Sequence, residues 1–287
     1  MHKKNAFTTL LFLNLLCTFC PLFAHAYQYE LSVCAIFQNE APYLKEWIDH
    51  HKKNGVQHFW LYNNNSTDNY KTVLGPYIKA GVVELIDWPY ASQDLKDWND
   101  IQCNAYKDGL QRSKHVSKWC AFIDTDEFLF CATGKSIKRS LKAYKDYGGV
   151  VVNCIMYGTS NIDKILPSER MVDRLVHRSP LDHPLNLHVK SIVRPERVIA
   201  CLNPHFFYYI SHKFAVDENY QRVHGPISTK TSVNVFRINH YWSRDLDFFL
   251  NHKLPRQKRW YDATQQAMEL ETQFNAIYDP ILINQMK

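Results

Sequence analysis

Residues 121–130 read AFIDTDEFLF, an apolar run that ends in Asp124, Thr125 and Asp126 with Glu127 directly after. At the end of a strand, residues two apart point to the same side, so these two aspartates can converge on one hard cation. A cation held there can carry a diphosphate and neutralise the charge that builds up as a phosphate group leaves. Two acids one residue apart can equally cap a turn, so their place in the fold has to decide between the two uses. A second candidate is the basic stretch HVKSIVRPERV (188–198), where Lys190 and Arg194 could face a diphosphate and offset charge on a departing group. The plain alternative for both is a solvated cation.

The elements that must position these residues alternate. ELSVCAIF (30–37) reads as a buried strand, and PYLKEWIDHHKKNG then sets Leu44, Trp47, Ile48 and His51 at helical spacing before Gly55. The unit repeats: a strand VQHFWLY (56–62), the polar turn NNNSTDN, and a helix carrying Val73, Leu74, Tyr77 and Ile78 that ends at Gly81. A third strand (82–88) precedes a helix near 94–113, with Trp98, Ile101 and Ala105 on one face. A fourth strand, WCAFID (119–124), delivers the aspartates, residues 136–147 are helical, and GVVVNCIMY (149–157) is a fifth strand. Such alternation predicts an α/β fold with a mainly parallel central sheet and helices on both faces, and ligands bind such sheets at the carboxyl ends of the strands. After about residue 158 the regularity gives way to loops rich in Pro, His, Tyr and Arg. No linker, repeat or low-complexity tract divides the chain, so residues 27–287 read as one domain. Residues 27–157 form its nucleotide-binding half and 158–287 the half that completes the site and meets the acceptor.

Composition sets the outer limits. With 46% hydrophobic and 22% charged residues among 287, the chain can bury a full core. Lys3 and Lys4, the apolar run Phe7–Phe23 and the small-x-small pattern Ala24-His25-Ala26 read as a signal peptide over residues 1–26, which implies an exported protein. An uncleaved anchor over 7–24 is the alternative, and only in that form would the chain hold a membrane. Removing the leader takes away two lysines and no acid, so the net charge falls from +6 to +4, too mild to argue for nucleic acid. Six cysteines remain (Cys34, Cys103, Cys120, Cys131, Cys154 and Cys201) at wide spacings without CxxC, which argues against a structural zinc site.

Four segments in order carry a resemblance. AIFQNEAPYLKEWIDHHKKNGVQHFWLYNNNSTDN, KWCAFIDTDEFLF, HVKSIVRPERV and INHYWSRDLDFFLNHK resemble glycosyltransferase family 92 and its family 2-like bacterial relatives over roughly residues 30–255. The resemblance implies a GT-A fold and a glycosyltransferase that moves a sugar from a nucleotide-sugar donor, UDP-linked, to a glycan acceptor with inversion. Because relatives transfer galactose, UDP-galactose is the first donor to test. Mn2+, or Mg2+ in its place, is the implied cofactor. Carried over by position, Asp124 and Asp126 hold the metal and donor and His240 is a late metal ligand. A neutral imidazole with carboxylates suits Mn2+ better than Ca2+.

Asn39 and Glu40 close the first strand, and Asn63, Asn64 and Asp68 lie in the loop after the second, where base and ribose contacts are expected. Amides and carboxylates can read a uracil edge and ribose hydroxyls, but the same residues fill turns for backbone reasons alone. Relatives often carry an aspartate where this chain has Asn63 and Asn64. Inversion needs a carboxylate to take the acceptor's proton. Asp217 is the first choice for that base, with Asp163 and Glu218 as alternatives.

Two other readings compete. A phosphohydrolase of the haloacid-dehalogenase type also places Asp-x-Asp after a strand, but it carries a small hydroxyl residue two positions after the second aspartate. This chain has Phe128 there. The non-enzymatic reading is an exported carbohydrate-binding or effector protein that keeps the GT-A shell without turnover. Asp124, Asp126 and His240 are all present, which argues against a decayed site.

Overall fold

The computed structural model describes residues 26–286, so the leader expected over 1–26 lies outside the described residues apart from Ala26. The strands read from the apolar runs form as β1 (Tyr29–Phe37), β2 (His58–Asn63), β3 (Val83–Asp87) and β4 (Ser117–Phe122). Between them lie α1 (Ala41–Lys53), α2 (Tyr70–Lys79) and α3 (Leu95–Ser113). β1 pairs in parallel with β2 and with β4, and β2 with β3. Because side chains alternate along a strand, β1 sends Leu31, Val33, Ala35 and Phe37 to one face and Cys34 and Ile36 to the other. Leu44, Trp47 and Ile48 of α1 and Leu74 of α2 pack on the first face; Ala105, Tyr106 and Leu110 of α3 pack on the second. Helices therefore cover both faces, as the periodicity predicts. Ile78 departs from the helical stripe read for α2 and is 39% exposed.

Past β4 the sequence reading needs correcting. A strand that the spacing did not reveal, β5 (Glu127–Cys131), starts directly after the aspartates. The helix expected over 136–147 breaks into α4 (Ile137–Ser140) and a 3-10 turn over Leu141–Tyr144, ahead of β6 (Gly149–Met156). The region expected to be loops adds α5 (Met171–Arg174), β7 (His177–Arg178), β8 (Val189–Val193) and a hairpin of β9 (Val198–Asn203) with β10 (Phe206–Tyr209). Then follow β11 (Ala215–Val216), β12 (Arg222–Val223), β13 (Phe236–His240), α6 (Leu246–Phe248), α7 (Leu254–Tyr261) and α8 (Thr264–Phe274).

The main sheet runs β12-β11-β6-β8-β4-β1-β2-β3. β8 is antiparallel to both β4 and β6 and lies between them, which brings Lys190 into the middle of the sheet opposite Val152. β13 runs parallel to β6 and antiparallel to β5, so that His240 lies beside Met156 and opposite Glu127. The chain thus adopts the expected α/β class with a mainly parallel sheet, and its later half inserts the strands that complete the site. Cys34, Cys103, Cys120, Cys131, Cys154 and Cys201 are all buried.

Candidate active site

The turn Asp124-Thr125-Asp126 leaves the carboxyl end of β4. It is closed by the Glu127 N–H donating to the Asp124 carbonyl at 3.1 Å and by the Asp124 N–H donating to Glu127 Oε2 at 2.8 Å. Asp124 is held from two directions: Gln102 (2.7 Å) and Tyr106 (3.2 Å) of α3 donate to Oδ1, and the Lys190 ammonium donates to Oδ2 at 2.8 Å. Lys190 also lies 3.7 Å from Glu127 Oε2. Desolvation pushes the Asp124 carboxyl up, but Lys190 outweighs it and holds the group below its usual range. Glu127 goes the other way: burial dominates over Lys190 and it is pushed up to about 7.

Lys190 is 1% exposed, and its ammonium is engaged by Asp124 and Glu127. Asp124 stays 32% exposed, whereas Asp126 is 19% exposed and paired with His240. His240 Nε2 lies 3.5 Å from Asp126 Oδ1, and His240 Nδ1 lies 3.7 Å from Glu127 Oε1. Burial opposes the Asp126 charge, yet His240 overrides it and the carboxyl sits far below the usual range. Among the described residues, no three His, Cys, Asp or Glu side chains form a ready-made metal cage. A carboxylate and an imidazole do fit Mn2+ or Mg2+ as a partial set, since such ions commonly complete their shells with water and substrate phosphate oxygens.

The loops after β1 and β2 show turn chemistry. Asn39, in left-handed backbone at φ 55°, accepts from the Thr67 N–H at 2.8 Å. Asn63 accepts from the Ser66 N–H and donates to the Tyr70 hydroxyl, and Asn64 donates to the carbonyls of Trp88 (2.9 Å) and Tyr90 (2.7 Å). Asp68 accepts from the N–H groups of Ala41 and Tyr70. Glu40 is ion-paired with Arg244. The side chains of Asn63, Asn64 and Asp68 thus knit the two loops to each other, while Asn39 is exposed and engaged through its Oδ1.

The base candidates also move. Glu218 accepts from the N–H groups of Asn234, Val235 and Phe236, which anchors the start of β13, about 13 Å of strand away from His240 at its end. Asp217 closes a turn by accepting from the N–H groups of Asn219 and Gln221. Asp163 is exposed, and its carbonyl accepts from the Asp247 N–H.

Sequence reasoning missed the cations that follow β13. Arg244 is 1% exposed, in left-handed backbone at φ 56°, with its guanidinium 3.8 Å from the centre of the Tyr43 ring. Beyond its bond to Glu40, its Nε and Nη1 have no hydrogen-bond partner, and neither does Arg256 Nε. Lys253 is buried with its Nζ 4.4 Å from the centre of the Trp242 ring; burial and then Arg256 hold its pKa well below the usual lysine range. Lys253 and Arg244 both act on the Asp126 charge, and so does Arg256. A five-residue π-helical segment, Phe249–Lys253, places Lys253 on this side, and such segments often occur at functional sites. For Arg244 and Lys253 the sequence signal was the same INHYWSRDLDFFLNHK segment that supplied His240, and Arg256 lies three residues beyond it.

The family model for glycosyltransferase family 92 matches residues 27–284. The chain belongs to this family. A family 92 protein of Ricinus communis is 26% identical over 218 residues, which covers 74% of this chain and 35% of its own length. One from Arabidopsis thaliana is 29% identical over 236 residues, covering 77% and 36%. A galactan beta-1,4-galactosyltransferase of Arabidopsis thaliana is 28% identical over 126 residues, 42% of this chain and 24% of its own. The chain spans about a third of the length of the family 92 relatives it matches. Among solved structures, S. aureus TarS 1-349 in complex with UDP matches at a TM-score of 0.38 and 14% identity, over 58% of this chain and 47% of that one. Glucosyl-3-phosphoglycerate synthase from Mycobacterium tuberculosis, in complex with Mn2+, UDP and glucosyl-3-phosphoglycerate, matches at 0.34 and 14%, over 59% and 58%.

Proposed function

We propose that this family 92 chain is a metal-dependent, inverting glycosyltransferase of the GT-A type that moves a sugar from a UDP-sugar to a glycan acceptor. The observation that carries the reading is the set of cations beside Asp126, Arg244, Lys253 and Arg256, of which the two arginines have buried N–H groups that lack partners. Unpaired buried donors cost free energy, on the order of 1–3 kcal/mol each and more when charged, unless a ligand satisfies them. A diphosphate supplies both the acceptor oxygens and the negative charge. Asp126 and His240 would hold Mn2+ or Mg2+, which when bound neutralises charge on the leaving diphosphate.

The protein's own residues do the rest. Arg244, Lys253 and Arg256 bind the phosphates and stabilise them as charge accumulates. Asp124, 32% exposed and fixed by Gln102, Tyr106 and Lys190, presents an immobile acceptor edge to the donor. Asp163, in the loop next to Lys164, is the base to test first now that Asp217 and Glu218 are spent elsewhere. Galactose is the first donor sugar to test, since one relative is named a galactosyltransferase. The leader of residues 1–26 supports an exported protein.

Calorimetry with UDP, with and without Mn2+, on wild type and Arg256→Gln tests the reading. Binding that strengthens with Mn2+ and weakens about tenfold in Arg256→Gln is expected, near the cost of one charged hydrogen bond. No UDP binding, or equal affinity in the variant, would remove the diphosphate from this cluster.

A further inference from the structure

A groove of about 1030 Å3 lies between α1, α2, the loop at 164–171 and the segment from α6 to α7. Asp124, Asp126, Lys190 and His240 are not part of its lining, but Glu40 and Arg256 are, and these belong to the charge cluster around Asp126. The groove therefore begins where the cation cluster ends. Its volume is at the upper limit of small-ligand pockets, which suits a chain of several rings better than a single one.

The walls decide the chemistry. Its acids are already used: Glu46 accepts from the N–H groups of Met171 (2.8 Å) and Val172 (3.2 Å), and Asp245 from those of Ile165 and Phe248. Asp247 pairs with Lys164 at 2.9 Å, and Lys45 with Asp49 at 2.7 Å. Among the described residues the two lining arginines without a carboxylate partner, Arg256 and Arg259, both lie on α7, and the wall away from α7 carries Asn39, Thr72 and Asn251 as neutral polar groups among Tyr43, Tyr77 and Phe248. Hydroxyl and amide groups interleaved with ring surfaces suit a neutral, hydroxyl-rich ligand with apolar C–H faces. The geometry points to this groove as the acceptor subsite, binding a neutral oligosaccharide whose end is delivered to Glu40 and Arg256 beside Asp126. This inference rests on the transferase reading above.

Binding is measured without donor or metal, by saturation-transfer NMR and calorimetry on the full chain. The probes are tetrasaccharides of glucose, galactose, mannose and N-acetylglucosamine. Thr72→Trp and Leu166→Trp fill the groove from two exposed positions outside the charge cluster, so the melting transition and donor cleavage in water should stay as in wild type. At least one tetrasaccharide should bind wild type, and each variant should weaken it tenfold or more. The assignment is overturned if no tetrasaccharide binds, if both variants bind as wild type does, or if uridine displaces the glycan. Glycan binding lost in the variants, in a protein that binds no UDP, would keep the groove and sink only the transferase reading.

Discussion

The loops after β1 and β2 and the segment after β13 both lie at the carboxyl edge of the sheet, both are polar, and they differ in one respect. In the first, Asn39, Asn63, Asn64 and Asp68 spend their side chains on neighbouring backbone and side-chain groups. In the second, Arg244 and Arg256 keep buried N–H groups without partners. Polar residue types in a loop therefore do not separate ligand contacts from turn chemistry. Unsatisfied charged donors clustered in the interior are the better guide, because a ligand or an ordered water has to offset their desolvation.

The sharpest challenge to this division is Lys190, which came from a basic segment yet belongs with the satisfied group. Lys190→Met should cost about 3–5 kcal/mol of stability, because it leaves Asp124 and Glu127 without their buried cation. Chemical denaturation measures it, and a stability loss under about 1 kcal/mol would show that the ion pair is not what fixes the turn. Asp126 is paired as well, with His240, but sits among cations that outnumber it. Asp126→Asn should stay folded with a lowered metal-free melting transition, because it removes a charge that His240, Lys253 and Arg244 stabilise, and should lose roughly 100- to 1,000-fold in Mn2+-stimulated release of UDP. Near wild-type turnover would return the metal role to Asp124 or abolish it. The smallest effect is expected at Asn64, where Asn64→Ala frees two carbonyls and should cost about 1–2 kcal/mol with no change in UDP affinity. Weakened UDP binding at unchanged stability would move Asn64 across the divide.

Much of the frame was legible beforehand for a local reason. Periods of two and 3.6 residues are written into consecutive residues, so β1 to β4 and α1 to α3 could be read from ELSVCAIF, WCAFID and their neighbours. The pattern failed at β5 and at the later strands. β11 and β12 are two residues each, too short to show a period, and β8 is buried throughout, so it does not alternate. His240 was reached through a motif, not a period.

By itself the sequence determined an α/β chain with Asp124 and Asp126 at the carboxyl end of a strand and a late histidine within reach. The tertiary structure alone decided how these groups divide the work. Asp124 meets Lys190 across 66 positions, and Glu40 meets Arg244 across 204. Which cation each carboxylate meets depends on those long-range pairings, and their electrostatics follow distance and burial in the folded chain, which no local pattern encodes.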